Sequence, residues 1–425
     1  MVAGAIIRII GQDYQNIFLT HNPQISFFKT VYKRHTNFAI ETHEQPFYSP
    51  LKFGKTIKAR LDKQRGDLIS NITLHLKIPS LNTDYAAEVE ENATTVHSRT
   101  KYKNGCCACP SCIASKYSET TLYGWVNSLG HAINEHAQIE INGKVIDRQY
   151  GEWLEIWTEV SQTSEKRAGY YEMINKVDPT SFSATTFLGD ADLYIPLNFF
   201  FCRNIGLALP ILSLYYSSVE IAIKLRPFKE CWVVNKSGAA SPEAPDIQAS
   251  LLVEYVYLDL DERKKFYKGS HIYLIEQVGY SGEFRTPTPN QHVKLDLSSI
   301  RHPTKELFWV LQRTDVTGKP KGVYSGTTYP IGNDWFNFSP FKYRQHSRIM
   351  EAFDYGTIRL GGQECFSPRY AKYFRLLQPY FYNTRVPINY IYAYSFGFKP
   401  EDLQPTGELN FGCFDSPELC LFIDA

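Results

Sequence analysis

Apolar and polar residues alternate strictly in several stretches of the chain, and this period of two is its clearest structural pattern. Successive side chains of a β-strand point to opposite faces of the sheet, so alternation predicts strands that are buried on one face only. The pattern recurs at residues 192–201, 219–226, 293–298 and 390–398. We therefore predict half-buried strands in both halves of the chain.

Helical patterning is scarce by comparison. One helix is predicted from Gly151 to Gln162, where five apolar residues form one broad face: Trp153, Leu154, Ile156, Trp157 and Val160. A short charged helix is predicted from Asp261 to Phe266. A protein of many antiparallel strands has to bury or close its sheet edges, and a sandwich, a barrel or a jelly roll does so.

Two hairpin signals, one in each half, indicate an internal duplication. Residues 139–144 contain Asn-Gly and residues 358–363 contain Gly-Gly, pairs that supply the positive φ values of a two-residue hairpin. Between the halves, glycines and prolines at residues 277–290 interrupt the strand pattern. Since 425 residues suffice for two domains, we predict a domain boundary there.

Composition narrows the possible functions. Lys and Arg number 45 and Asp and Glu 44, and the net charge of +1 provides no polycationic field for nucleic acid. No apolar run reaches the length of about 18 residues that predicts a membrane helix, and the N-terminal apolar stretch is too short for a secretory signal. We expect a soluble, unsecreted protein without specific contact to nucleic acid.

Five of the nine cysteines lie singly among strand-like segments: Cys202, Cys231, Cys365, Cys413 and Cys420. We interpret them as buried small hydrophobes in a reducing compartment.

The other four cysteines form a cluster in a polar loop: Cys106, Cys107, Cys109 and Cys112. Thiolates at this spacing can converge on a metal ion, and neighbouring lysines favour the deprotonated form that zinc needs. A structural zinc site normally takes two cysteine pairs about a dozen or more residues apart, whereas these four are crowded together. Zinc, a loop disulfide formed in the released particle, and idle thiols therefore stay open as three interpretations.

Enzymatic patterns are missing from the chain. It contains no phosphate-binding Gly-Lys-Ser/Thr loop, no His-Glu-x-x-His helix and no Gly-x-Ser-x-Gly turn. Carboxylates such as Glu140 and Asp147 alternate with apolar residues, and we interpret them as lying on solvent-exposed faces of strands. We predict no enzymatic activity and no cofactor.

A run near the N-terminus closely resembles the N-terminal signature of the major capsid proteins of nucleocytoplasmic large DNA viruses. It extends from Asn22 to Ala39 and includes Ile-Ser-Phe-Phe-Lys-Thr-Val-Tyr-Lys-Arg-His. Further fragments resemble the same family in the same order over nearly the whole chain: residues 53–54, 65–69, 194–201, 206–210, 302–305, 378–380, 394–396 and 404–407.

This resemblance implies an all-β fold, a double jelly roll made of two eight-stranded antiparallel β-sandwiches in tandem. Residues 1–40 would form an N-terminal segment for capsomer contacts, residues 41–280 the first jelly roll and residues 281–425 the second. Family members continue well beyond the strand that follows the motif at residues 404–407 and close with another strand. We therefore expect the second jelly roll to lack its last strand and to leave an open edge.

The resemblance also implies a structural function. Three subunits would form a pseudo-hexagonal trimer, and trimers would tile an icosahedral shell over an internal membrane, after assembly in the host cytoplasm. The partners would be further copies of the chain, minor capsid proteins and the viral membrane. In the N-terminal segment, the residues expected to contact neighbours combine aromatic anchors with cationic donors: Phe27, Phe28, Tyr32, Arg34 and His35.

Several alternatives stay open from the sequence. The N-terminal segment could instead be a first strand folded onto its own barrel. The chain could be a minor or truncated capsid paralogue of the same family. A carbohydrate-binding β-sandwich, with aromatic residues stacking on sugars, is the alternative from a different class, whereas a cupin-type enzyme would need a His-rich metal motif that the chain lacks.

Overall fold

Antiparallel strands dominate the structure, a computed structural model that describes residues 20–82, 121–178, 182, 186–236, 239–285, 291–314, 316–318, 322–323, 330–340 and 351–423. The strands fall into two groups, at residues 38–258 and 291–423. The predicted boundary between residues 280 and 281 lies in the segment that connects them. The first strand that the structure describes begins at residue 38, so the end of the predicted 1–40 segment already belongs to a sheet.

The first group of strands forms a jelly roll. Its strands are Phe38–Pro46 (β1), Thr56–Arg60 (β2), Leu68–Ile78 (β3), Tyr123–Trp125 (β4), Asn134–Ile141 (β5), Lys144–Tyr150 (β6), Ala191–Pro196 (β7), Val219–Leu225 (β8), Trp232–Val234 (β9) and Gln248–Leu258 (β10). Eight of them build two antiparallel sheets, ordered β1-β10-β3-β7 and β2-β8-β5-β6, while β4 pairs with β9. Each four-stranded sheet thus combines early and late strands, as jelly rolls do. Apolar residues from both sheets share one buried core, among them Leu74, Ile195, Ile221 and Val253.

The second group follows a related plan. Its described strands are Gln291–Asp296 (β11), Pro303–Thr304 (β12), Glu306–Val310 (β13), Gly322–Val323 (β14), Pro330–Ile331 (β15), Tyr355–Leu360 (β16), Gln363–Glu364 (β17), Arg369–Tyr370 (β18), Ile391–Ser395 (β19), Leu409–Asn410 (β20) and Glu418–Ile423 (β21). The main sheet has the order β11-β21-β16-β17, with β18 also paired to β16. Three further pairs are β12 with β20, β13 with β19, and β14 with β15. Between the main sheet and the β13-β19 pair lies an aromatic core: Trp309, Phe353, Phe374 and Tyr392.

The end of the second jelly roll bears on the expectation of a missing last strand. Strand β21 follows the motif at residues 404–407 and lies in the middle of its sheet, where it pairs with β11 on one side and β16 on the other. The expected missing strand would come after β21: the order β11-β21-β16-β17 parallels β2-β8-β5-β6, so β21 corresponds to β8, and no described strand of the second jelly roll corresponds to β10. The missing last strand therefore stays a prediction. Alternating apolar residues at 419 and 421 point into the core and fix the register of the strand.

The helices are short. They are Leu129–Ile133 (α1), Gly151–Ser161 (α2), Arg167–Met173 (α3), Phe200–Arg203 (α4), Leu260–Lys268 (α5) and Gln378–Tyr382 (α6), with a π-helical turn at Tyr373–Leu377 and 3₁₀ turns at Ile205–Leu207, Phe228–Glu230 and Phe411–Cys413. Helices α2 and α5 confirm the two helix predictions.

The strand predicted across residues 192–201 is only partly formed. Strand β7 ends at Pro196, which has no N–H to donate to a neighbouring strand.

Both predicted hairpins are confirmed. Asn142 and Gly143 have φ values of 52° and 76° and join β5 to β6. Gly361 and Gly362 have φ values of 57° and 80° and join β16 to β17. Both turns use the left-handed region, which twists the flanking strands in the favoured sense.

Candidate assembly surface and the contact between the jelly rolls

A buried group of charged side chains lies beside helix α2. Glu155 and Glu159, one turn apart on this helix, are almost completely buried. Lys176 Nζ donates hydrogen bonds to Glu155 Oε1 at 2.5 Å and to Glu159 Oε1 at 2.6 Å. On the far side of Glu155, His131 Nδ1 lies 2.8 Å from Oε2, and Tyr171 OH donates to Glu159 Oε1 at 2.6 Å. These partners replace the water that the charges lose on burial.

The protonation of this group follows from its geometry. Burial by itself would raise the pKa of Glu155, but the Lys176 ammonium and His131 outweigh burial and lower that pKa to about 2. Burial likewise opposes the charge of Lys176, yet Glu155 and Glu159 hold the pKa of Lys176 well above its usual range. The carboxylates and the ammonium are therefore ionised at neutral pH.

Arg385 connects this group to the second jelly roll. Its Nη2 donates to Glu159 Oε2 at 2.8 Å and its Nε donates to the Glu159 carbonyl oxygen at 2.8 Å. The backbone N–H of Arg385 also donates to the Val160 carbonyl oxygen at 2.9 Å. A cation at the C-terminal end of α2 also interacts favourably with the helix dipole. The loop after α6 is thereby fastened to the first jelly roll.

A second contact between the jelly rolls uses residues 333–335. Asn333 Nδ2 donates to the carbonyl oxygens of Lys229 at 2.9 Å and Trp232 at 2.8 Å. Trp335 Nε1 donates to the Glu230 carbonyl oxygen at 2.8 Å, and the Arg226 guanidinium lies 3.9 Å from the centre of the Trp335 ring. The cation–π contact and the directional hydrogen bonds fix the mutual orientation of the two jelly rolls.

The segment between the jelly rolls also contacts both of them. Glu276 accepts hydrogen bonds from Arg203 Nη1 at 3.1 Å and from Lys305 Nζ. The Val278 N–H points at Asp147 Oδ1 at 3.4 Å, and burial raises the pKa of Asp147. Asp147 and Glu140 are both buried, so their prediction as solvated strand faces is wrong. The connecting segment contributes to the contact, because it bridges charged groups on either side.

Gly151 allows α2 to begin directly against α1. A Cβ atom at this position would overlap the carbonyl oxygens of His131 and Asn134. We expect Gly151→Ala to lower the free energy of unfolding by about 1–3 kcal/mol, the usual cost of overpacking. Chemical denaturation would measure the change, with Gly169→Ala as a control in α3, where a Cβ meets no atom within 4 Å. Equal stability of Gly151→Ala and wild type would contradict the expectation.

The N-terminal candidate residues lie in an exposed arm, residues 20–37, which precedes β1. Phe27, Phe28 and Tyr32 are 90%, 99% and 86% exposed, and Arg34 and His35 are also exposed. From residue 21 to residue 37, the arm contains no helix or strand. Residues 20–37 are therefore not a first strand of their own barrel. Their contact role stays a prediction.

The structure describes the five scattered cysteines and not the four clustered ones. The cluster at Cys106, Cys107, Cys109 and Cys112 lies outside the described residues, so its three interpretations stay open. Of the five scattered cysteines, Cys231 is buried, whereas Cys365 and Cys413 are exposed and do not behave as core residues. Burial raises the pKa of Cys231 to about 12, which keeps this thiol protonated.

Neither a metal-binding cluster nor a membrane-spanning helix occurs among the described residues. Within those ranges, no group of three or more His, Cys, Asp or Glu side chains is arranged to hold a metal ion. None of the helices that the structure describes is long and apolar enough to cross a membrane.

The residues that join the jelly rolls were not found from the sequence. The predicted α2 face included Trp153 and Trp157, which are only half-buried, and omitted Glu155 and Glu159, which are buried. The available signal was two carboxylates four residues apart within an apolar helix. The two carboxylates can be buried only because Lys176 and Arg385 pair with them, and Arg385 lies more than 200 positions away along the chain.

Comparisons with known families match most of the chain. A family described as "Major capsid protein N-terminus" matches residues 26–259, and one described as "Large eukaryotic DNA virus major capsid protein" matches residues 262–424. The two matches meet at the first turn of α5. They cover both jelly rolls.

Individual relatives agree with the family matches. The major capsid protein of Pyramimonas orientalis virus is 32% identical over 447 residues, which cover 99% of this chain and 92% of the relative. The major capsid protein of Paramecium bursaria Chlorella virus 1 is 29% identical over 436 residues, which cover 99% of this chain and 87% of the relative.

Solved structures share the fold. The PBCV-1 protein VP54, fitted into a reconstruction of the virophage Sputnik, superposes with a TM-score of 0.71 at 26% identity and covers 94% of this chain and 87% of its own. The Faustovirus major capsid protein superposes with a TM-score of 0.66 at 11% identity, covers 99% and 92%, and supports the fold alone. The fold is a double jelly roll, and the role of the chain is structural, in the virion capsid. The chain belongs to the major capsid protein family of large eukaryotic DNA viruses.

Proposed function

We propose that this chain is a capsid subunit that associates with two further copies into a trimer of pseudo-hexagonal outline. The observation that carries the proposal is the fixed pairing of two jelly rolls, through Arg385, Asn333 and Trp335. Three copies of a rigid pair place six similar modules around a three-fold axis, which approximates a hexagon. Such trimers can tile the icosahedral shell, and the role requires no catalysis.

The proposal divides the chain by role. Residues 1–40 make contacts between subunits, residues 41–280 form the first jelly roll and residues 281–425 the second. Phe27, Phe28, Tyr32, Arg34 and His35 supply the contacts of the first segment. Exposed aromatic clusters of this kind mark interaction surfaces on soluble proteins. Minor capsid proteins and the internal membrane are the further partners, and assembly takes place in the host cytoplasm.

Mass and shape of the purified chain test the trimer. We expect sedimentation equilibrium to give three times the chain mass of 48.9 kDa, and negative-stain averages to show a hexagonal outline. A monomer at micromolar concentration, or a particle of two-fold shape, would overturn the trimer.

Substitution of the arm's aromatic residues tests the contact segment. We expect Phe27→Ser, Phe28→Ser and Tyr32→Ser together to weaken association more than about tenfold, since one buried aromatic anchor contributes about 2 kcal/mol or more. The melting temperature of the dissociated chain should not change, because these side chains contact solvent in the single chain. Tyr216→Ser is the control, at a 95% exposed residue of the first jelly roll. Association equal to wild type in the triple variant would contradict the role.

A further inference from the structure

Strand β1 is an open edge of its sheet. It pairs with β10 along its whole length, and no other described strand pairs with it. Residues 38–42 are all exposed. The unpaired N–H and C=O groups of such an edge can accept another strand.

The edge carries negative charge. Glu41 and Glu44 are exposed. Because their positions differ by three, they lie on opposite faces of β1. Among the described residues, Glu44 has no ion-pair partner, and Glu41 pairs with His43 at 3.5 Å and is hydrogen-bonded to the Tyr257 side chain. Pairing of this edge with the same edge of another copy would bring like charges together. Pairing between two β1 edges is therefore disfavoured, and pairing of this edge with a cationic strand is favoured.

The N-terminal arm has the matching chemistry. It carries Lys29, Lys33 and Arg34, and no acidic residue occurs from Thr20 to Ile40. Its Ile, Val, Thr, Phe and Tyr residues are those that strands favour. No described backbone hydrogen bond ties residues 21–37 to the rest of the chain. The arm is thus a cationic segment of strand-like composition without a sheet.

The arm's own β1 is a poor acceptor for it. The arm runs directly into β1 through residues 35–37, and pairing with that strand would need a tight reversal there. This junction, His35-Thr36-Asn37, contains no glycine or proline and shows no positive φ. The acceptor should then be another copy of the chain.

We propose that the arm of one subunit adds to the free edge of β1 in a second copy and extends the sheet β1-β10-β3-β7 by one strand. The proposal rests on the contact role of the arm proposed above and specifies its partner. Each copy donates one arm and accepts one, so the exchange closes in a three-fold ring with no arm or edge left over.

Zero-length cross-linking with mixed isotopes tests the pairing directly. Full-length chains labelled with ¹⁴N and ¹⁵N are dissociated, mixed, reassembled and treated with a carbodiimide, which joins lysines to carboxylates in contact. We expect heavy-light peptide pairs that join Lys29 or Lys33 to Glu41 or Glu44. The proposal would be overturned if all cross-linked peptide pairs carried the same isotope, which would place the contact within one chain. It would also be overturned if the arm lysines were joined only to other acidic residues.

A charge exchange gives a second test. Glu44→Lys and Lys33→Glu should each weaken association about threefold per interface, within the range of cross-strand ion pairs, and about thirtyfold for a three-interface trimer. The double variant should recover to within about threefold of wild type. Glu408→Lys, at an exposed acidic residue of the second jelly roll, serves as the matched control.

These results separate the two proposals. Loss of association in the aromatic arm variant, together with unchanged association in both charge variants, would retain the arm's contact role and reject β1 as its acceptor. Unchanged association in all of the variants would reject both.

Discussion

Replacing Lys176 with methionine is expected to lower the free energy of unfolding by about 3–5 kcal/mol, the range found when one partner of a buried ion pair is removed. Methionine fills a similar volume but provides no donor. Glu155 and Glu159 would lose the ammonium that they share and would keep His131 and Arg385, respectively, as ion-pair partners. The cost arises from the buried negative charge that is no longer compensated, more than from the lost hydrogen bonds.

Denaturant unfolding of the variant would measure this loss. Lys166→Met, at an exposed lysine just before α3, is the matched control and should change stability by less than about 0.5 kcal/mol. A Lys176→Met protein as stable as this control would show that the carboxylates find other partners.

Acid should weaken this buried group of charges only at low pH. The folded-state pKa of Glu155 is about 2, below its ordinary value of 4.5. A depressed pKa gives a stabilisation that is complete above about pH 4.5 and is lost as the pH falls towards 2.

Glu306→Gln is expected to stabilise the protein at neutral pH by about 2–3 kcal/mol. Glu306 lies in β13, and burial, with a further contribution from Glu401, raises its pKa to about 8. Asn383 Nδ2 donates to Glu306 Oε2 and to Glu401 Oε1, each at 3.2 Å. Glu306 Oε1 is buried without a partner. The folded protein therefore keeps a proton that the unfolded chain releases.

The sign of the effect follows from that proton. Because folding raises the pKa, stability is greatest below the ordinary value of 4.5 and falls as the pH rises. The loss amounts to about 1.4 kcal/mol per pH unit and is complete above the folded-state value of about 8. Glutamine imitates the protonated acid and does not titrate, so the variant should lack this decline.

Calorimetry from pH 4 to pH 9 on both proteins would test this expectation. The melting temperature of Glu306→Gln relative to wild type should rise with pH and level off above about pH 8, in line with the linkage argument. Glu408→Gln, at an exposed site, should follow the wild type throughout. Parallel curves for Glu306→Gln and wild type would contradict the raised pKa.

Local chemistry made parts of the fold predictable. Asn142-Gly143 and Gly361-Gly362 specify hairpins because few residues adopt positive φ. The alternation in β8 and the apolar period of α2 reflect burial on one face of each element. The N-terminal signature and its companion fragments then identified the family, and with it the double jelly roll.

The joining of the two jelly rolls was decided only in three dimensions. Glu155 and Glu159 are ordinary helix carboxylates by local criteria, and only the fold brings Lys176 and Arg385 to them. Glu140 and Asp147 became buried for the same reason: other segments cover their strands.

By itself, the sequence determined several of the strands, two hairpin turns and the family to which the chain belongs, because backbone preference and side-chain periodicity are local. Only the tertiary structure decided which polar groups are buried, which charges pair across the two jelly rolls, and which strand edge stays open. Those outcomes depend on contacts between residues far apart in the chain, and the energy of a charge depends on the partners that folding gives it.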